Sequence, residues 1–292
     1  MPVASTDDGV KLHYESVGAG TPVVFVHEFA GDHRSWEPQL RACARRHQCV
    51  AYAARGYPPS DVPADAAAYS QARAVRDLAA VMDAARLDSA HIVGLSMGGF
   101  NALHFGLAHP ARARSLTIAG AGYGALAADR PAFQEVSRAA AEQFEQLGSA
   151  VYGPVYAESA ARVQYQNKDP RGWREFAAAL AAHDARGSAL TLRGVQAGRP
   201  ALDTMADALR AMRVPALIIA GDEDDHSLMA SLFLKRTLPA SGLLVLPKTG
   251  HTINLEEPDA FNRAVLDFIA QVEAGCWAPR DARATGDALK VR

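Results

Sequence analysis

Six short runs of β-branched and aliphatic residues, Val23 to Val26, Cys49 to Tyr52, His91 to Leu95, Ser115 to Ala119, Ala216 to Ile219 and Leu243 to Leu246, are separated by longer stretches of helical periodicity. A strand that is apolar at nearly every position must be covered on both faces, and parallel neighbours need a crossover, usually a helix, to connect them. The alternation therefore predicts an α/β fold with a mostly parallel central sheet flanked by helices. Val75, Leu78 and Met82 recur at helical spacing, and Phe261, Val265, Phe268 and Val272 form one stripe over Asp259 to Val272. Both segments are expected to pack on the sheet. Lys11 to Glu15 alternates weakly and reads as an edge strand before the Gly18-Ala-Gly20 turn.

From Tyr123 to Arg210 the strand signals stop, and Ala-rich helical stretches take over at Ala132 to Leu147, Ser159 to Gln166 and Gly172 to Asp184. The rhythm resumes after Pro215. We therefore expect a discontinuous core, 1–121 and 211–274, a helical lid over 122–210, and a loosely held tail over 275–292. A chain of 292 residues with 49% hydrophobic and 21% charged side chains can bury such a core without crosslinks. The formal charge of −2 supplies no global attraction for nucleic acid or an anionic membrane, so neither is an expected partner. No apolar run is long enough to span a bilayer, and the first residues lack the basic and apolar regions of a secretory signal. Cys43, Cys49 and Cys276 cannot all pair within one chain, which points to a reducing, cytoplasmic compartment.

Gly94-Leu95-Ser96-Met97-Gly98 sits directly after one apolar run and directly before the helical pattern Gly99 to Ala108. In a sharp strand-to-helix reversal the central residue is strained and exposed, and glycines on either side allow close backbone approach. Ser96 at a helix N-terminus is thereby a candidate nucleophile. A serine hydroxyl needs a base, and the base an orienting acid. His251 follows the last predicted strand and Asp224 the one before it, so both fall beyond C-terminal strand ends, where loops converge. Asp222, Glu223 and Asp225 compete with Asp224 for the orienting role. Backbone N–H donors for an oxyanion come from Met97 and from the loop His27 to Gly31, most plainly Phe29. The pair His27 and His33 has no well-spaced third ligand, so no metal is expected.

At this point the chain resembles the α/β-hydrolase family, in particular lid-bearing serine esterases and lactonases. VVFVHEFAG, AARGYPPSD, HIVGLSMGGFNAL, VPALIIAGDEDD and GHTINLEEPDAF occur in the family's order over roughly residues 10 to 272. The resemblance implies the order nucleophile, acid, histidine for Ser96, Asp224 and His251, and it strengthens Asp224 over its neighbours. It also implies a cofactor-free reaction on a small-molecule substrate, led by a small, largely apolar carboxylic ester or lactone. A carbon–carbon bond hydrolase, a perhydrolase or haloperoxidase-like enzyme, and a non-catalytic binding module are the alternatives.

Two departures stand out. Glu28 occupies the place after the first-loop histidine where relatives usually carry glycine, and Ala53 replaces the usual Asp of the Ala53-Ala54-Arg55-Gly56 stretch. Glu28 is expected to point outward or into a side pocket, tuning the choice of substrate, and Arg55 and Asp61 to brace their loop by ion pairing.

Overall fold

The computed structural model describes residues 2–284; the last eight residues of the expected tail lie outside the described residues. Eight strands form one sheet: β1 (Val3–Ser5), β2 (Lys11–Val17), β3 (Thr21–Val26), β4 (His47–Tyr52), β5 (Ala90–Leu95), β6 (Ala113–Ala119), β7 (Ala216–Gly221) and β8 (Ser241–Leu246), in the spatial order β1-β2-β4-β3-β5-β6-β7-β8. β1 and β2 add antiparallel at one edge, and the other six strands run parallel. Each predicted strand is present, extended by one or two residues. β1 escaped prediction because three residues, one of them buried, carry no periodic signal.

Alternation along the strands feeds two separate cores. Val24, Val26, Val50, Ile92, Leu116, Ile118 and Ile218 pack with Leu78, Met82, Phe100, Leu103 and Leu234. These come from helices on one face, α2 (Gln71–Ala84), α3 (Met97–Ala108) and α10 (Asp225–Thr237), the numbering following the chain from α1 (Glu37–Cys43). Val23, Phe25, Cys49, Val93, Leu95 and Ile219 face the other way, onto α1 and α12 (Pro258–Glu273), which supplies Phe261, Val265 and Phe268. The stripe read from the sequence thus lies on the sheet, as its spacing requires.

Between β6 and β7 the chain is helical: α4 (Arg130–Leu147), α5 (Ser149–Ala157), α6 (Val163–Lys168), α7 (Pro170–Ala181), α8 (Ala185–Thr191) and α9 (Ala206–Ala211). This is the inserted helical region of the fold. A third apolar cluster holds α4 to α8 together and onto the body: Phe144, Tyr165, Phe176 and Leu180 meet Phe29, Ala53, Tyr57, Tyr69 and Met97. The expected helix over Ser159 to Gln166 is broken into a 3₁₀ turn at Ala160–Arg162 followed by α6. α5 was missed because Gly153 and Pro154 lie within it.

The chain crosses from β3 through α1 to β4 on one side, and from β5 through α3 to β6 on the other. The reversal opens a crevice beyond the C-terminal ends of β3 and β5, under the inserted helices.

Candidate active site

Ser96 closes β5 and caps α3 with φ 54° and ψ −113°, a left-handed conformation that a side chain rarely adopts. It is held there from both ends, its N–H donating to Ala119 O at 2.7 Å and its carbonyl accepting from Phe100 N at 3.0 Å. The turn also requires bare backbone beside it: a Cβ on Gly98 would stand 1.9 Å from Val26 O. These contacts are why the pentapeptide needs its outer glycines.

Of the four acids after β7, Asp224 is the one that meets the histidine. His251 Nδ1 lies 2.6 Å from Asp224 Oδ2, and the same oxygen accepts a short hydrogen bond from Ser227. Asp224 is 2% exposed. Burial alone would raise its pKa, but the facing imidazole and the two hydrogen bonds hold it below the ordinary value. Burial would conversely lower His251, and Asp224 more than offsets this, so the ring titrates above its ordinary 6.5. The neighbouring acids have other partners. Asp222 accepts from Thr249 N at 3.1 Å, Glu223 pairs with Lys248 and Gln164, and Asp225 begins α10.

The loop carrying His251 is clamped by a residue the sequence reading did not single out. The buried Glu256 carboxylate accepts from Gly250 N at 2.8 Å and from Thr252 N at 3.2 Å, so it grips the backbone on both sides of the histidine. His251 N–H itself donates to Ala161 O at 2.8 Å, which ties the loop to the inserted helices. No short-range pattern announces Glu256, since its effect depends on a loop folding back over its own helix.

The loop after β3 is fixed by neutral groups. His27 is buried, and burial pushes its pKa down to about 4. Its Nε2 accepts from Ala54 N at 3.0 Å, so Nδ1 carries the proton and donates to Glu28 O at 2.7 Å. Tyr57 donates to Phe29 O at 3.0 Å. Since His27 and Tyr57 engage carbonyls, the Phe29 N–H stays outside this network, and the Met97 N–H, at the first turn of α3, has no acceptor within its helix.

Glu28 does not point outward. It is 2% exposed, lines the same cavity as Ser96 and His251, and forms a short ion pair with Arg162, which is itself 5% exposed. Glu28 Oε1 has no hydrogen-bond partner among the described residues. Of the two expected orientations the outward one is excluded, because the partner comes from the inserted helices, far along the chain. Arg55 likewise does not pair with Asp61. It is buried and binds both carboxylate oxygens of Asp77 at 2.7 Å, together with Asp8, while Asp61 accepts from Lys11 N at 2.8 Å. The group of three potential metal ligands that the fold gathers among the described residues, their ligand atoms within 4.8 Å of one another, is His13, Glu15 and His33, without His27.

One cavity of about 320 Å³ gathers Ser96, Asp224, His251, Phe29 and Glu28. Phe100 from the body and Phe133 and Tyr156 from the inserted helices add apolar wall, while Arg162, Gln196 and Arg199 add polar atoms. Arg162 and Arg199 were not anticipated, because an arginine in a helical stretch, like Arg162, or beside a Gly and a Pro in a loop, like Arg199, reads as solvated.

The model of the family described as alpha/beta hydrolase fold matches residues 21–258. The chain belongs to the alpha/beta-hydrolase fold family. As a member it is a hydrolytic, serine-hydrolase-like enzyme, with a triad-like site acting on small organic molecules. It is 29% identical over 280 residues to a protein of Azorhizobium caulinodans provisionally named carbamate hydrolase RutD, covering 94% of this chain and all of that one. To 3-oxoadipate enol-lactonase 1 of Acinetobacter baylyi it is 26% identical, over 86% of this chain and 89% of the relative. A thermophilic esterase from Thermogutta terrifontis, solved with malate bound, superposes with a TM-score of 0.82 at 25% identity, covering 92% of this hydrolase and 98% of the esterase. Among the described residues no helix of this hydrolase is long and apolar enough to cross a membrane.

Proposed function

We propose that the protein hydrolyses a small carboxylic ester or lactone through an acyl-enzyme on Ser96. The observation that carries this is the 2.6 Å contact of His251 with Asp224, opening with the strained Ser96 onto one cavity. His251 Nε2 takes the Ser96 proton as the oxygen attacks the carbonyl carbon, and buried Asp224 holds the ring by Nδ1 and stabilises the imidazolium. The Phe29 and Met97 N–H groups receive the oxyanion. As the tetrahedral intermediate collapses, His251 protonates the leaving alcohol; for a lactone the alcohol stays attached to the acyl group. A water then attacks the acyl carbon, giving its proton to His251, and Ser96 departs with that proton. No step calls for a cofactor.

The cavity volume suits a small substrate, and its enclosure by the inserted helices disfavours a polymer. The kinship with an enol-lactonase and an esterase supports oxygen esters over other acyl groups. A screen of short acyl esters, lactones and ring-cleavage diketones, quenched early and read by intact-protein mass spectrometry, tests the reading. An acyl adduct is expected on Ser96 and absent in Ser96→Ala, with turnover reduced about 10³- to 10⁶-fold. Robust ester turnover without an adduct, or turnover confined to the diketones, would sink it.

A further inference from the structure

Arg199 lies in the connection between α8 and α9 and is 3% exposed. Its guanidinium lies over Phe100, with Cζ 3.7 Å from the ring centroid, and also 4.7 Å from that of Phe133. Of its five N–H donors, one is engaged by Gln196 and one by Tyr123 O at 2.5 Å. Both acceptors are neutral. Nε is buried without a partner, and no carboxylate among the described residues forms an ion pair with Arg199. Burial, with Arg130 adding like charge, pushes its pKa down to about 9, so the group is still a cation at neutral pH.

Arg162 on the same wall provides the contrast. Its charge is cancelled by Glu28, whereas that of Arg199 meets no opposite charge in an ion pair among the described residues. A buried cation without a counter-charge is costly, and the two aromatic faces return only part of that cost. The other acids lining the cavity do not supply the charge. Asp224 is committed to His251, and Glu223 and Asp225 are exposed, Glu223 being paired with Lys248 at 3.4 Å.

We infer that Arg199 is a substrate-recognition residue, and that the ester or lactone cleaved here carries a carboxylate which completes its charge and occupies its free donors. A planar guanidinium suits this task because its forked donors match the two oxygens of a carboxylate. The inference rests on the proposed hydrolysis and narrows it: the substrate is an acid ester or acid lactone, with an apolar segment against Phe100 and Phe133, rather than a wholly apolar compound.

Two probes test it. The first is a matched pair, the p-nitrophenyl monoester of glutaric acid and the p-nitrophenyl ester of glutaramic acid, in which a neutral amide replaces the carboxylate. The acid ester is expected to be preferred at least about tenfold in kcat/KM, chiefly through KM. Arg199→Met should lose about 100-fold on the acid ester and stay within about threefold on the amide. The second probe is glutarate itself, titrated calorimetrically into Ser96→Ala with and without Arg199→Met, which needs no turnover. Loss of glutarate binding on removing the arginine supports the assignment even if no ester is cleaved, a result that would count against the hydrolase reading alone. Arginine-dependent glutarate binding without ester preference would support the assignment and place the carboxylate on the alcohol side. Should Arg199→Met fail to fold, Arg199→Lys is read instead, with KM raised for the acid ester only. Equal kcat/KM for both esters, together with glutarate binding indifferent to residue 199, would overturn the inference.

Discussion

The Glu28–Arg162 pair joins the oxyanion loop to the inserted helices, and its energetics can be measured directly. Both side chains are almost fully buried, and His251 senses both charges, Glu28 raising and Arg162 lowering its pKa. Removing one partner of such a pair leaves the other charge uncompensated, at a cost of about 3 to 5 kcal/mol. Glu28→Gln keeps an acceptor for Arg162, so the lower figure of about 3 kcal/mol applies; Arg162→Met leaves Glu28 without its partner, and about 3 kcal/mol is its lower bound. At about 2 to 4 °C per kcal/mol in a protein of this size, each variant should melt roughly 6 to 12 °C lower. The double variant buries no lone charge and should be no less stable than the worse single, which gives a coupling of about 3 kcal/mol. Urea unfolding of the four proteins measures it. Single effects that add to within about 0.5 kcal/mol would refute the claim that the pair acts as a unit. In folded Glu28→Gln, cleavage of a small neutral ester should stay within about tenfold of the parent. A loss beyond about 100-fold on every substrate would move Glu28 into the general chemistry.

Asp224 should govern the pH profile as well as the rate. With His251 raised above 6.5, the productive neutral ring is reached only at higher pH, so the acid limb of kcat/KM should fall above 6.5. Asp224→Asn removes the main influence raising the pKa and leaves burial, so the limb should move to lower pH while the plateau drops about 10⁴-fold. An unmoved limb in stopped-flow or steady-state profiles would show that another acid orients the ring. At the elbow, Gly98→Ala would drive a Cβ to within 1.9 Å of Val26 O, so both a melting-point drop and a displaced Ser96 are expected. Unchanged labelling of Ser96 by a fluorophosphonate, with an unchanged melting point, would contradict that.

Short-range rules carried the sequence reading a long way. The six parallel strands and the α12 stripe are legible because period 2 and period 3.6 are local consequences of backbone geometry. Ser96 was legible for a similar reason: the reversal of β5 into α3 needs small residues at fixed offsets, so Gly94 and Gly98 announce it. His251 and the acidic turn could be placed by their positions after β8 and β7. Which of the four acids meets His251 could not be read from spacing, since all four fall within one turn and burial selects Asp224.

The remaining features depend on elements distant in sequence closing over one another, most of them the inserted helices over the sheet. Glu28 and Arg162 are separated by 134 positions, and nothing near either residue in sequence encodes the other. The same holds for Arg55 with Asp77, for the hold of Ala161 on the His251 loop, and for Arg199 over Phe100. A charged side chain costs little in water at any of these positions, so the local sequence shows no trace of strain. It must find a partner only once packing removes the water, and which groups lose their water together is decided by the tertiary structure alone.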